Sequence, residues 1–191
     1  MNYMNVFDFD NTIYRGESSI DFAVYMISIN KRIILWLPKI FWNLIKYKLC
    51  LVSKDYMERT INDALKTLIR SEKEVLDLTN GFWKTHKHKL APSILKRIHK
   101  DDIIITAGPS FLINGISDAV GTSNMICSEV DLKRRRITYL NFSDNKVKRY
   151  RRLYGNTPIE CFYTDSFNDK AMMDISERVF IVKKGKVKRI K

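Results

Sequence analysis

Hydrophobic and polar positions divide the chain into a short strand, a long helical stretch and an alternating region. The apolar run that ends at Phe7 predicts a buried strand. The stretch from about 16 to 98 is helical in pattern, and it predicts helices at 18–30, 32–52, 54–69 and 71 to about 95. Apolar runs then predict strands at 102–106, about 124–130, 160–164 and 178–182. Strands that alternate with helical segments are typical of an α/β fold whose mainly parallel sheet is covered on both faces.

Three local patterns define these elements further. Ser71-Glu72-Lys73-Glu74 is typical of a helix start, because Ser can cap the helix and Glu can return the hydrogen bond. Residues 128–140 predict a hairpin with Lys133 to Arg136 near its turn. The basic segment that begins at Asn145 has helical character.

Candidate catalytic side chains follow the predicted strands. Asp8 and Asp10 end the first strand, Thr106 ends the strand at 102–106, and Asp165 and Asp169 follow the strand at 160–164. Because open α/β sheets bind ligands at the carboxyl ends of their strands, we expect these groups to converge. One carboxylate of a pair can act as a nucleophile or metal ligand while the other transfers protons.

Each of these signals has another interpretation when it is taken alone. Thr106 is also typical of a turn, and Lys146 lies in so basic a segment that a solvated helix face would explain it. Asp165 and Asp169 could instead be an N-cap and a first-turn acid of the helix that follows them.

In their order and spacing, these segments resemble the four motifs of the haloacid dehalogenase (HAD) superfamily. The matching residues are Asp8-x-Asp10-x-Thr12, Thr106, Lys146 and Asp165-Ser166-x-Asn168-Asp169. Within the superfamily the chain resembles the phosphoserine-phosphatase-like branch (subfamily IB type). The resemblance implies a three-layer, Rossmann-like α/β core at 1–15 and 99–191. An all-helical cap would then occupy 16–98, between the first and second motifs.

The resemblance also implies a Mg²⁺-dependent phosphatase that forms an aspartyl-phosphate. Asp8 would be the nucleophile, and Asp10 would protonate the leaving oxygen and then activate water. The Asp8 side chain, the Asp10 backbone carbonyl and Asp165 would bind Mg²⁺, while Asp169 would support the ion or Lys146 without binding the metal directly. Thr106 and Lys146 would hold the phosphoryl oxygens, with Lys148 as the rival lysine.

Substrate contacts are expected from Thr12, Glu17, Gly108 and Asn168. Glu17 matches a glutamate that contacts the substrate amine in phosphoserine phosphatases, and Gly108 stands where the family often has serine. The cap arginine of those enzymes has Asn62 as its counterpart here, with Arg59 nearby, so phosphoserine is in doubt. The substrate stays open between a small phosphorylated metabolite and a lipid-linked phosphate. The alternatives in function are a phosphotransferase and a non-catalytic protein that binds anions or a membrane surface.

Composition indicates a folded, strongly basic protein. The apolar fraction of 45% and the aromatic fraction of 12% argue against disorder. The formal net charge is +13, with cations concentrated at 133–136, 146–152 and 183–191. Such charge could attract a phosphorylated substrate or a membrane surface, or could serve only solubility. A basic surface also suits nucleic acid, but no nucleic-acid-binding motif accompanies it, so no specific nucleic-acid partner is expected.

Cysteine use and hydropathy bear on location. The 3 cysteines show no CxxC spacing and predict reduced, buried thiols, as in a reducing compartment. No signal peptide is predicted, so a cytoplasmic location is expected. The segment 32–52 is apolar and aromatic, but lysines interrupt it too often for a membrane span. It could be a buried cap helix, or a helix at a membrane surface with Trp36, Phe41 and Trp42 in the interface, which would make the protein peripheral to a membrane.

Overall fold

A central seven-stranded sheet organises the computed structural model, which describes residues 4–29, 38, 42–43, 46, 51, 53–68 and 71–191. The strands are β1 (Met4–Phe7), β2 (Ile103–Pro109), β3 (Met125–Asp131), β4 (Arg136–Tyr139), β5 (Ile159–Thr164), β6 (Ser176–Lys183) and β7 (Lys186–Arg189). Their order across the sheet is β4-β3-β2-β1-β5-β6-β7. The inner five strands pair in parallel, and β4 and β7 close the two edges as antiparallel partners.

Helices connect the strands. They are α1 (Ser18–Ile29), α2 (Lys54–Leu68), α3 (Glu72–His86), α4 (Pro92–Leu95), α5 (Ser110–Asn114), α6 (Ser117–Val120), α7 (Asp144–Tyr154) and α8 (Lys170–Asp174). Two short 3₁₀ helices lie at Lys87–Lys89 and Phe167–Asp169.

Alternating strand residues build two hydrophobic cores, one on each face of the sheet. On one face Phe7, Ile104 and Tyr163 pack with side chains of α3, α5 and the loop after β1. On the other face Val6 and Phe162 pack with side chains of α7 and α8. Successive residues of a strand point to opposite faces, so strands buried on both sides require continuous apolar runs. The predicted three-layer α/β fold is confirmed.

Several predicted elements agree with the structure within a few residues. The strands at 102–106, 124–130, 160–164 and 178–182 correspond to β2, β3, β5 and β6, and the hairpin at 128–140 is β3–β4. Ser71 is the N-cap of α3, where its side chain accepts a hydrogen bond from Glu74 N at 3.2 Å.

The prediction of a single helix from Ser71 to about Leu95 was wrong, because α3 ends at His86. Leu90 and Ala91 are extended and buried, and Ala91 N donates to Ile13 O at 2.8 Å. A residue before proline is disfavoured in a helix, so Pro92 helps to hold Ala91 extended. Sequence analysis also missed β7, since the basic end of the chain pairs with β6 around a turn at Gly185, whose φ is +76°.

Helix α2 is joined to the sheet edge through β4. Asn62 Oδ1 accepts a hydrogen bond from Ile137 N at 2.7 Å, and Arg135 Nη1 donates to Lys66 O at 3.3 Å. Asn43 is also buried here and donates to Thr60 Oγ1 at 3.3 Å. The inserted cap and its limits at 16 and 98 stay predictions.

Most of the segment 32–52 lies outside the described residues, so the choice between a buried and a membrane-surface helix stays a prediction. Among the described residues, no helix combines the length and the apolar character that crossing a membrane requires. Cys127 and Cys161 are buried free thiols, as predicted, whereas Cys50 lies outside the described residues.

Candidate active site

The predicted catalytic residues meet where the chain reverses its direction across the sheet. From β1 the chain adds β2, β3 and β4 on one side, and it then returns through α7 to place β5 on the other side of β1. Asp8 continues β1, and its backbone N–H donates to Tyr163 O of β5 at 2.8 Å. Crevices at such a reversal are the usual ligand sites of α/β sheets.

A buried lysine joins the two acidic motifs. Lys146 Nζ lies 2.8 Å from Asp8 Oδ1 and 2.7 Å from Asp169 Oδ1, and all three side chains are buried. Thr164, the last residue of β5, donates its hydroxyl hydrogen to Asp169 Oδ2 at 3.0 Å. Lys148 is exposed, so the rival lysine does not reach this cluster. Ser166, rather than Asp165, is the N-cap of the 3₁₀ helix, and Asp169 is an acid of its first turn, as the alternative expects. Asp169 is also at the N-cap position of α8, but its side chain makes no cap hydrogen bond and binds Lys146 and Thr164 instead.

The loop after β1 holds Asp10 against the start of α1. Ser18 N donates to Asp10 Oδ1 at 2.7 Å, and the loop closes through Asn11 N donating to Gly16 O at 3.0 Å. Gly16 has a φ of +125°, a conformation open mainly to glycine. The first turn of a helix presents free N–H groups, which favour the ionised carboxylate of Asp10.

A second contact network fixes this loop to the neighbouring segments. The Tyr14 hydroxyl donates to Asp21 Oδ2 at 2.6 Å, and Lys89 Nζ lies 2.5 Å from the same oxygen. Arg15 N donates to Lys89 O at 2.9 Å. Tyr14 is fully buried and packs edge-to-face against Trp83 of α3, so the position of the loop is defined by packing as well as by charge.

Charges in the cluster shift its ionisation strongly. Burial raises the pKa of Asp8 to about 8, assisted by Asp169 and Asp10 and opposed by Lys146. Burial also raises the pKa of Asp10 to about 6, although hydrogen bonds from Ser18 oppose this. The pKa of Lys146 is raised because Asp8 and Asp169 outweigh its own burial. The ammonium of Lys146 therefore keeps its charge, while Asp8 and Asp10 resist ionisation.

These shifts predict how the stability of the protein without metal depends on pH. Asp8 has an ordinary pKa of 3.8 and a folded-state pKa of about 8, so the folded protein retains a proton that the unfolded chain releases. The contribution of Asp8 to the free energy of unfolding is therefore lost as the pH rises from about 4 to about 8. We expect the Asp8→Asn protein not to show this decrease in stability, because asparagine does not ionise. In chelator, its stability relative to wild type should rise by about 1–3 kcal/mol between pH 5 and pH 9.

Urea unfolding of both proteins at the two pH values measures this difference. The exposed Asp101 provides the matched control, because Asp101→Asn should leave the pH dependence of wild type unchanged. A constant difference between Asp8→Asn and wild type would contradict the raised pKa of Asp8.

The other predicted site residues lie around the cluster. Thr106 is buried in the middle of β2, which runs on to Pro109 instead of ending at Thr106 as predicted, and its hydroxyl accepts a hydrogen bond from Gly108 N at 3.0 Å. No hydrogen bond among the described residues links it to Asp8 or Lys146. Thr12 is buried, and within the described part of the chain its Oγ1 has no hydrogen-bond partner.

Glu17 and Asn168 are exposed beside the carboxylates. Asn11 Nδ2 donates to Glu17 Oε1 at 3.0 Å, which fixes the side chain of Glu17. Burial raises the pKa of Asp165, and repulsion from Asp169 and Glu17 adds to this effect. Glu17 therefore lies close to both acidic motifs, at the exposed rim of the site.

Sequence analysis missed residues that act through their neighbours. Ser18 binds Asp10 through its backbone, Thr164 binds Asp169, and Asn141 Nδ2 donates to Thr106 O at 2.8 Å. Ser18 could have been found as the first residue of a predicted helix, where free N–H groups attract an anion. Asn141 follows the hairpin without a recognisable motif, so only the tertiary structure identifies it.

The oxygen atoms available at the site indicate which metal ion it could bind. Among the described residues, no group of three or more His, Cys, Asp or Glu side chains is arranged to hold a metal ion. The predicted Mg²⁺ ligands include only two side chains, Asp8 and Asp165, together with a backbone carbonyl. Carboxylate, carbonyl and water oxygens are the ligands that Mg²⁺ prefers, and mutual repulsion of the carboxylates would be relieved by a cation. The residues present therefore fit Mg²⁺.

Comparison with known proteins identifies related sequences and folds. The family model of haloacid dehalogenase-like hydrolases matches residues 6–174, which include every acidic residue of the cluster. No curated protein matches the sequence. Solved structures with similar folds share little sequence with this chain, so they show the fold alone.

Three of these structures cover most of the chain. A protein of unknown function from Bordetella pertussis Tohama I has a TM-score of 0.76 and 17% identity, over 94% of this chain and 89% of that one. A phosphoserine phosphohydrolase-like protein from Francisella tularensis subsp. tularensis SCHU S4 has a TM-score of 0.60 and 14% identity, over 93% of this chain and 86% of that one. A phosphoserine phosphatase in its apo form has a TM-score of 0.55 and 14% identity, over 94% of this chain and 85% of that one.

Proposed function

The chain belongs to the haloacid dehalogenase-like hydrolases, and from this premise we propose that it is a Mg²⁺-dependent phosphatase. It would hydrolyse a phosphomonoester through an aspartyl-phosphate on Asp8. The observation that carries the proposal is the buried Lys146 ammonium, which lies within 2.8 Å of both Asp8 and Asp169. A fixed, desolvated cation beside a nucleophilic carboxylate can stabilise the charge that develops on a transferred phosphoryl group.

In the first step an Asp8 carboxylate oxygen attacks phosphorus, and the bond between phosphorus and the ester oxygen breaks. Asp10 gives its proton to the departing oxygen, so the alcohol leaves neutral. A folded-state pKa of about 6 suits this role, because a fraction of Asp10 is protonated near neutral pH. The hydrogen bond from Ser18 N orients the carboxylate for the transfer.

In the second step the Asp10 carboxylate removes a proton from water, and the water oxygen attacks phosphorus. The bond between phosphorus and Asp8 breaks, which releases inorganic phosphate and restores both carboxyl groups. Lys146 can pair with phosphoryl oxygens in both steps, while Asp169 and Thr164 keep its ammonium in place.

Magnesium would bind the Asp8 side chain, the Asp10 backbone carbonyl and Asp165. When bound, it would supply positive charge that keeps Asp8 ionised and offsets the charge of the phosphoryl oxygens. Asp8 needs this help, since burial and its acidic neighbours favour its protonated form.

The substrate is a second part of the proposal. Two of the structures with similar folds are a phosphoserine phosphatase and a phosphoserine phosphohydrolase-like protein. In this chain Asn62, the counterpart of the cap arginine, binds the backbone of Ile137 in β4. A neutral amide lacks the positive charge and the paired donors with which arginine binds a carboxylate, so a phosphomonoester other than phosphoserine is favoured.

Hydrolysis of para-nitrophenyl phosphate tests the reaction. We expect turnover with Mg²⁺ and none with a chelator. Asp165→Asn should weaken Mg²⁺ binding by at least about tenfold, because one anionic ligand is lost. Thermal unfolding reports this independently of activity, since a ligand that binds only the folded protein raises its melting temperature.

The control is Asp101→Asn, which should bind Mg²⁺ as wild type does. Hydrolysis that continues undiminished in chelator would contradict the metal dependence. An Asp165→Asn protein with the same Mg²⁺-induced rise in melting temperature as wild type would contradict the assigned ligand.

A further inference from the structure

Phe167 is the most exposed of the large hydrophobic side chains in the described part of the chain, with 70% of its surface accessible. It lies in the 3₁₀ helix between Asp165 and Asp169, so both of its acidic neighbours belong to the candidate site. Single exposed apolar residues are common on protein surfaces, and exposure by itself indicates nothing. The position of Phe167 at the rim of the site is what requires an explanation.

The segment that carries Phe167 is held at both of its ends. Ser166 is the N-cap of the 3₁₀ helix, and its Oγ accepts a hydrogen bond from Asn168 N at 3.3 Å. Asp169 is fixed by Lys146 and Thr164. The backbone therefore presents Phe167 outward from an anchored turn, next to the groups that would bind the phosphoryl group.

Ile20 is a second exposed apolar residue near the rim. It lies in the first turn of α1, where Ile20 N donates to Glu17 O at 3.0 Å, and 44% of its surface is accessible. In the same turn, Ser18 N donates to Asp10 Oδ1 at 2.7 Å, so this turn of α1 borders the same site. Phe167 and Ile20 therefore both lie near the acidic cluster, Phe167 in the 3₁₀ helix and Ile20 in the first turn of α1.

We propose that Phe167 and Ile20 form an apolar wall that receives the leaving group of the substrate, so that phosphomonoesters with an extended alkyl or aryl group are preferred. This inference rests on the proposed phosphatase function. A phosphoryl group bound at Asp8 and Lys146 directs its ester substituent out of the buried cluster, towards the rim. Apolar surface there gains affinity when the substituent covers it.

Alkylphosphonates are suitable probes, because their C–P bond is not cleaved by the proposed reaction. We would measure the binding of methyl-, butyl- and octylphosphonate to the full chain with Mg²⁺ by isothermal titration calorimetry. A fully buried CH₂ group gains about fourfold in affinity, and contact with a wall on one side gains about twofold. We therefore expect octylphosphonate to bind at least about tenfold more tightly than butylphosphonate.

Heat capacity provides a second readout. Burial of apolar surface makes the heat-capacity change of binding more negative, so this change should grow with chain length in wild type. Phe167→Ala and Ile20→Ala should each reduce the gain in affinity and in heat capacity while leaving methylphosphonate binding unchanged. Leu153→Ala is the matched control, since Leu153 is 53% exposed but lies seven residues beyond Lys146, near the far end of α7.

The outcomes separate this inference from the proposed function. Equal affinity for the three phosphonates would overturn the apolar wall, even if para-nitrophenyl phosphate is hydrolysed. The same holds if affinity still increases with the length of the alkyl chain in both variants. If affinity increases with alkyl chain length in wild type but not in the two variants, and the protein hydrolyses no ester, the apolar wall would be upheld and the phosphatase overturned. Failure to bind any phosphonate would overturn the apolar wall, and it would overturn the phosphatase as well if para-nitrophenyl phosphate is not hydrolysed.

Discussion

Asp8→Asn is expected to lower the hydrolysis of para-nitrophenyl phosphate by about 1,000-fold or more, with Mg²⁺ present. The substitution keeps the shape of the side chain but replaces the attacking carboxylate with a neutral amide. Removal of a covalent nucleophile has effects of this size or larger, because every later step depends on the intermediate that it forms. Initial rates at saturating substrate measure the loss.

Folding of the variant has to be shown separately. In chelator above pH 8, Asp8→Asn should be at least as stable as wild type, since it lacks the buried carboxylate whose ionisation burial opposes. Asp101→Asn should retain full activity. Hydrolysis by Asp8→Asn at a rate near that of wild type would show that Asp8 is not the nucleophile.

Lys146→Met is expected to reduce both activity and stability. The substitution leaves Asp8 and Asp169 buried without their shared cation, and such a loss costs about 3–5 kcal/mol of unfolding free energy. The loss should be measured in chelator, because a bound metal ion would partly replace the missing charge. Activity should fall by about 100-fold or more, since a cation that stabilises the transition state is removed.

Lys148→Met provides a closely matched comparison, two residues away on the same helix. Lys148 is exposed, and surface substitutions usually change stability by less than about 0.5 kcal/mol. We expect it to match wild type in urea unfolding and in kcat. If the two variants behaved alike, Lys146 would have no special role. A larger effect of Lys148→Met would favour the rival assignment.

Sheet topology explains why distant parts of the sequence form one site. The chain places β1 in the centre and fills one side before it crosses to the other, so Asp8 and Asp169 follow adjacent strands although 161 positions separate their numbers. Helix α7 makes the crossing, and its first turn carries Lys146 into the space between them. The lysine is therefore positioned by the connection that the topology requires.

Much of the fold could be predicted because strong local signals agree with the tertiary structure. Apolar runs such as Ile103–Ile105 form strands that are buried on both faces, and no polar face was needed to recognise them. Ser71 begins α3 by accepting a hydrogen bond from Glu74 N. Predictions failed where long-range packing competes with local preference, as at Leu90 and Ala91, which leave the helical pattern to pair with the loop after β1.

Some features of the candidate site could likewise be predicted from the sequence, and others could not. By itself, the sequence determined the kinds of groups involved and their places after strands, because short motifs specify chemistry and local conformation together. Only the tertiary structure decided that Lys146 rather than Lys148 reaches Asp8, that Asn62 is engaged by β4, and that Phe167 stands exposed at the rim. These outcomes depend on which face of a helix is buried and on which strand edge a side chain meets. Burial and long-range pairing depend on the packing of the whole chain, whereas a sequence motif contains information only about residues that are close together in the sequence.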